Sequence, residues 1–211
     1  MYKNGIKRLL DILISLGVLT VLSPVLLITS LAILLESGRP VIYKQTRLGK
    51  KHKEFTMYKF RSMVVNAEHT GTGVYSDKND SRVTKVGKVI RATSIDELPQ
   101  AVNMLKGDMS LIGPRPPLTY HPWPIDQYTK EQLHMFDVRP GLTGWAQVHG
   151  RRSVEWNERI KLNNWYVDHC SFPLDVKIFF MTIGKVLSRT DNENLGETVQ
   201  RTATGSAVQH D

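Results

Sequence analysis

The chain has 211 residues, enough for one medium-sized domain with attachments and too few for a second full one. Lys and Arg number 28 against 20 Asp and Glu, a net +8, and the whole excess lies in residues 1–61, which hold 11 basic and 3 acidic side chains. That distribution excludes a uniformly basic nucleic-acid binder and an ordinary enzyme with scattered charge, so no nucleic-acid partner is expected. A single cysteine, Cys170, excludes a disulfide framework and a Cys-based zinc site.

Residues 9–35 form an apolar run in which 19 of 27 side chains are Leu, Ile, Val or Ala. As one straight helix it would be ~40 Å long, more than a hydrocarbon core of ~30 Å. Ser23-Pro24 falls near its centre, where proline removes a backbone donor and crowds the preceding turn, so a kink is expected. Lys3, Lys7 and Arg8 precede the run, and Arg39, Lys44, Arg47, Lys50, Lys51 and Lys53 follow it. A single kinked span is one reading. Basic residues at both ends favour the other, a re-entrant helix-hairpin that enters and leaves on one side and meets anionic headgroups there. No small-x-small cleavage site follows, which argues against a secretory signal. Asp11 is costly in lipid unless it lies at the interface or pairs with Lys7 or Arg8.

Beyond the run, residues 41–43 and 55–60 are β-prone and flank a Gly-Lys-Lys turn, which predicts a β-hairpin. Residues 66–82 read as a polar loop. Leu98, Val102 and Leu105 fall at helical spacing before Gly107, which predicts a helix within 95–105. Residues 142–148 are a strand candidate. Helices are predicted over 154–167 and 174–187, the second either an amphipathic interfacial helix or a core helix. Residues 190–211 are expected to be a disordered polar tail.

Asp96 and Glu97 are adjacent carboxylates. Ser94 with Glu97 matches a capping box, but that frame puts Pro99 at the fifth helical position, where its missing N–H breaks a bond. With Asp96 as N-cap, Pro99 falls in the first turn, so the helix is expected to begin at the acidic pair. Such a pair near Arg91 has two uses: ordinary helix-start acids, or a site for a divalent metal and a phosphate. Arg115, in Gly113-Pro114-Arg115-Pro116, is carried by a stiff loop suited to presenting a guanidinium to phosphate. Lys59 and Arg61 line a phosphate site or face headgroups. The histidines lack H-x-x-x-H spacing, and neither a P-loop nor G-x-G-x-x-G occurs, which weakens kinase and dinucleotide readings.

Together these segments resemble the small monotopic phosphoglycosyl transferases of the bacterial sugar transferase family. The resemblance is carried by Lys7-Arg8, Ser23-Pro24, Tyr58-Lys59-Phe60-Arg61-Ser62-Met63, Ser94-Ile95-Asp96-Glu97-Leu98-Pro99-Gln100, Leu105-Lys106-Gly107-Asp108-Met109-Ser110, Gly113-Pro114-Arg115-Pro116 and Val138-Arg139-Pro140-Gly141-Leu142-Thr143-Gly144-Trp145-Ala146-Gln147-Val148, in family order. It implies an α+β fold with three parts. Residues 1–38 would be a re-entrant membrane helix and 39–189 a small, helix-rich cytoplasmic catalytic domain with a short β-hairpin and interfacial helices. Residues 190–211 would be the tail. The chain is expected to be the minimal form, without the extra N-terminal membrane domain of larger members.

The implied activity is transfer of a phospho-sugar from a UDP-sugar to polyprenyl (undecaprenyl) phosphate with release of UMP, at the cytoplasmic face of the bacterial inner membrane among membrane lipids. Asp96 would be the nucleophile, forming an aspartyl-phosphosugar, and would hold Mg²⁺. Glu97 would assist. Lys59, Arg91 and Arg115 would bind phosphate, and Gln147 would lie near nucleotide or sugar. His149 stands where many members carry Asn. Two other classes compete: a non-catalytic membrane adaptor that binds polyprenyl-linked sugars, and an aspartyl-phosphate hydrolase.

Overall fold

The computed structural model describes residues 2–71, 73, 80–149 and 155–188; the predicted tail lies outside them. The apolar run is two helices, α1 (Ile6–Val21) and α2 (Ser23–Ser37), bent by 61° at Leu22. Pro24 sits in the first turn of α2, where its missing donor costs nothing, so the break falls just before it. No single described helix is long and apolar enough to cross a membrane.

The first arm is amphipathic in an inverted sense. Lys7, Asp11 and Ser15, four residues apart, form a buried polar stripe, whereas Ile6, Leu9, Leu13 and Leu16 are exposed. The pairing of Asp11 with Lys7 or Arg8 that the sequence offered does not occur; Asp11 accepts bonds from the Ser110 hydroxyl and the Leu111 amide, both 2.9 Å. Lys7 pairs instead with buried Asp175, which also accepts the hydroxyls of Tyr2 and Tyr166. Arg8 donates to the carbonyls of Met104 and Leu105. One face of α1 is thus bolted to three distant parts of the chain.

The predicted hairpin is present: β1 (Ile42–Leu48) pairs antiparallel with β2 (Glu54–Phe60), with Tyr43 opposite Lys59. Helix α3 (Lys85–Ala92) follows, its N-cap Thr84 accepting the Gly87 amide at 2.9 Å. Gly87 lies so close to the Ser62 backbone that a Cβ would sit 1.9 Å from its carbonyl oxygen. The acidic pair departs from expectation. It occupies a 3-10 turn, Ile95–Glu97, and α4 (Gln100–Lys106) begins only after Pro99. No Ser94 side-chain cap forms, because Ser94 is in the left-handed conformation, φ 57°, and turns the chain away from a helical start. Asn103 ties α4 to the hairpin: fully buried, it accepts the Tyr58 amide and donates to the Thr56 carbonyl.

A second sheet, absent from the sequence reading, pairs β3 (Ser110–Ile112) in parallel with β4 (Gly141–Thr143). The strand expected over 142–148 ends at Thr143, and residues beyond it form α6 (Trp145–His149). Glycines permit this crossing: a Cβ on Gly141 would lie 2.1 Å from the Gly113 nitrogen. In the chain between β3 and β4 come a short α5 (Lys130–Leu133) and a 3-10 turn at His134–Asp137. Helices α7 (Trp156–His169) and α8 (Phe172–Ser188) close the fold. One side of α8 joins a core of Ile112, Val148, Tyr166, Cys170 and Ile178, while Phe172, Val176, Phe179 and Phe180 are exposed. Both sequence readings of this helix therefore describe one of its faces.

Asp175→Asn leaves Lys7 buried without its counter-charge. We expect a loss of about 3–5 kcal/mol, read as a lowered unfolding midpoint in detergent.

Candidate active site

The loop between α3 and α4 sets the site. Left-handed Ser94 accepts the Glu97 amide at 3.2 Å, and its own amide bonds the Arg91 carbonyl at 3.2 Å. This reversal brings the last turn of α3, with Arg91, back over the acidic pair. A non-glycine residue there costs roughly 1–2 kcal/mol, and such strain gathers where geometry matters.

Asp96 is buried and Glu97 largely so. Their partners differ. Lys59, projecting from β2, donates to Glu97 at 2.6 Å, and both side chains are mostly enclosed. Among the described residues no side chain hydrogen-bonds or ion-pairs with the Asp96 carboxylate, and the guanidinium groups of Arg91 and Arg115 are likewise unpaired. One carboxylate is committed to a lysine; the other stands ready beside two uncommitted cations.

The two acids are pushed apart. Burial raises the Asp96 pKa to about 6; Lys59 and Arg91 oppose the shift and Glu97 adds to it. Burial acts upward on Glu97 as well, but Lys59 and Arg115 outweigh it and hold that carboxyl below the usual range. Arg91 is lowered by burial, against the pull of Asp96.

Asp96 opens onto a cleft of about 620 Å³, within the size range of ligand sites. Among the described residues, Lys44, Arg47, Lys59, Arg61, Arg91 and Arg115 line it against two acids, Asp96 and Glu68. That excess of described cations suits a multiply charged anion. Glu97 faces an adjoining recess with Lys59, Gln100 and Arg115. The Pro-rich loop carrying Arg115 is held by the hairpin edge: Arg47 donates to the Pro116 carbonyl at 3.0 Å and the Leu48 amide to that of Pro117 at 3.0 Å.

The structure therefore brings together Lys59, Arg91, Asp96, Glu97 and Arg115. Gln147 stands apart: it belongs to α6, does not line the cleft, and its buried amide atoms have no partner among the described residues. The sequence reading missed Tyr43, Arg47, Glu68 and Trp156. The period-two alternation of Tyr43, Gln45 and Arg47 along a strand would have marked the first two as sharing a face. Among the described residues no group of three His, Cys, Asp or Glu could cage a metal. An Mg²⁺ ion needs less, since one or two carboxylates plus substrate phosphate oxygens suffice. The unpaired Asp96 carboxylate fits that role.

Two ties join the end of α2 to this site. The Glu36 carboxylate accepts the Lys85 and Val86 amides, at 2.7 and 2.9 Å, at the start of the helix whose last turn carries Arg91. Arg61, next to the end of the strand that carries Lys59, donates through Nη2 to the carbonyls of Ser37 and Gly38, each at 2.8 Å. Ile33, Phe60 and Ile90 pack between them.

Comparison with known proteins gives a consistent picture. The profile of the family described as bacterial sugar transferase matches residues 2–189. A Bacillus subtilis protein named uncharacterized sugar transferase EpsL is 41% identical over 201 residues, covering 95% of this chain and 96% of that protein. An Aeromonas hydrophila UDP-N-acetylgalactosamine-undecaprenyl-phosphate N-acetylgalactosaminephosphotransferase is 46% identical over 189 residues, 87% of this chain and 44% of its own length. The Escherichia coli UDP-glucose:undecaprenyl-phosphate glucose-1-phosphate transferase is 40% identical over 191 residues, 86% and 41% respectively. This chain thus spans nearly all of the first relative and less than half of the other two.

Ser94→Gly relieves the left-handed strain, whereas Ser94→Val adds a branched side chain to it. The first is expected to hold or raise the unfolding midpoint; the second is expected to cost a further ~1–2 kcal/mol.

Proposed function

The chain belongs to the bacterial sugar transferase family, and from that premise we propose that it transfers a phospho-sugar from a UDP-sugar to undecaprenyl phosphate, releasing UMP. The observation that carries this reading is the Asp96 carboxylate in one cleft with Arg91 and Arg115, none of which has a side-chain partner among the described residues. An adaptor would need no such arrangement.

In this reading an Asp96 oxygen attacks the phosphorus bonded to the sugar. The bond from that phosphorus to the bridging oxygen breaks, and UMP departs with the electron pair. An oxygen of undecaprenyl phosphate then attacks the same phosphorus and displaces Asp96, giving the lipid diphosphate sugar. Splitting one transfer between two anions into two steps lets a fixed carboxylate handle each half. A nucleophile held at a pKa of about 6 is largely ionised near neutrality yet more basic than an exposed aspartate. Lys59, Arg91 and Arg115 offset the charge gathering on the transferred phosphoryl group. Glu97, kept ionised by Lys59 and Arg115, accepts a proton from the incoming lipid phosphate. Bound Mg²⁺ would be held by Asp96 and would neutralise phosphate charge.

The lipid acceptor requires a site at headgroup depth. The bent pair α1–α2, polar toward the protein and apolar outward on α1, supports a hairpin that enters and leaves through the cytoplasmic face of the inner membrane. Residues 1–38 would form this anchor and 39–189 the catalytic domain.

Asp96→Asn should cut UMP release from UDP-sugar, undecaprenyl phosphate and Mg²⁺ by at least about a thousandfold; wild-type turnover in that variant would sink the covalent mechanism. UMP released by water alone, without the lipid acceptor, would instead identify a hydrolase. Single cysteines placed at positions 3 and 44 should both be labelled from the cytoplasmic side, and labelling from opposite sides would establish a span.

A further inference from the structure

One carboxylate in the cleft has no part in phosphoryl transfer. Glu68 lies at the rim, its Oε2 accepting the Tyr43 hydroxyl at 2.7 Å, with half-exposed surface left on the carboxylate. In a cleft otherwise built for a di-anion, a fixed negative charge repels phosphate and must face an uncharged part of the ligand. The strand register fixes where that part lies. Tyr43 is directly opposite Lys59, so their side chains share a face and the Tyr43–Glu68 pair stands beside the Lys59–Glu97 pair across the two strands.

Other cleft residues suit the same ligand chemistry. The bridge between Arg47 and Leu118 is antiparallel, so the chain after Leu118 runs back along β1, and Tyr120 comes near enough to raise the Tyr43 pKa, after burial and Glu68. His121, next along, meets Trp156 edge-on at 5.4 Å. Both line the cleft, and among the described residues the buried Trp156 indole N–H has no partner. A carboxylate acceptor, an indole donor and an aromatic surface are the groups that recognise a polyhydroxylated ring: hydroxyls donate to the carboxylate, a ring or hydroxyl oxygen accepts from the indole, and the apolar C–H face packs on the aromatic.

We propose that Glu68, held by Tyr43, together with Trp156 forms the subsite for the hydroxyl-bearing sugar of the donor and sets which sugar is accepted. This rests on the transferase reading above. Hydroxyl groups are also present on the ribose of the nucleotide, so the test separates the two sources.

The full-length protein, in detergent or lipid nanodiscs, is assayed for UMP release from UDP-glucose, UDP-galactose, UDP-N-acetylglucosamine and UDP-N-acetylgalactosamine, with undecaprenyl phosphate as acceptor. Glu68→Gln keeps an oxygen to accept the Tyr43 hydroxyl but removes the charge, and Trp156→Phe keeps a ring but removes the N–H. Each is expected to lower kcat/KM for the preferred donor about 10- to 100-fold. The loss should fall unequally on the four donors, so that their order or spacing changes. Inhibition by UMP, which carries ribose but no sugar, should stay within about twofold of wild type. UMP inhibition weakened in step with kcat/KM would place the ribose at Glu68 and overturn the proposal. Equal losses on all four donors with UMP unaffected would leave Glu68 as a latch on the 66–69 turn and overturn it too. Tyr43→Phe sharpens that comparison: it should shift donor preference in the same direction as Glu68→Gln, and an unchanged preference counts against the subsite. Wild-type protein that releases UMP from none of the donors removes the transferase reading itself, and the subsite with it.

Discussion

A helix whose outer surface is apolar cannot be held to a protein by burying that surface. The molecule meets this constraint with a polar stripe. Lys7, Asp11 and Ser15 turn inward on α1; Ser15 donates to the Asp11 carbonyl one turn back, while the partners of Lys7 and Asp11 lie about a hundred or more residues away in sequence, at Asp175, Ser110 and Leu111. Buried charges demand such complete pairing. Asp175 therefore collects Lys7, Tyr2 and Tyr166, and joins the first helix to the last. The outward Leu and Ile residues are left for another apolar phase, and the placement of the cleft follows from that attachment.

Electrostatics in the cleft follow from an unequal division of partners. Lys59 is spent on Glu97, so that carboxylate is fixed in position and in charge. Asp96, equally enclosed, receives only longer-range help from Lys59 and Arg91, and burial prevails. Two neighbouring acids thereby acquire separate properties from one lysine, the division of roles that the proposed two-step transfer would require of a nucleophile and a base on a single turn.

Much of this was legible in the chain itself. Pro24 announced the bend, because a missing donor has the same effect in any surroundings. The β-hairpin and the stiffness around Arg115 were also local properties. What escaped were features decided by distant partners. Asp11 looked like an interfacial charge because Ser110 and Leu111 are far off in sequence. The start of α4 was misplaced because a serine forced into the left-handed region leaves no trace in propensity. Ala146 and Val148 alternate like strand residues, yet the parallel pairing with β3 stops at Thr143 and the chain coils. Of the site residues, the acidic pair and three cations stood out as motif members, whereas Glu68 and Trp156 sit in segments with no periodicity to mark them.

The two ties at the end of α2 carry a mechanical consequence. Glu36 grips the helix whose last turn carries Arg91, and Arg61 reaches back from next to the strand that bears Lys59. A tilt of α2 is therefore transmitted to both cations together, as a rigid strut moves the two ends of a frame. Were α2 seated in a bilayer, as the proposed anchor requires, thickness and lateral pressure would act on that strut, and the spacing of charges around Asp96 would follow the lipid phase.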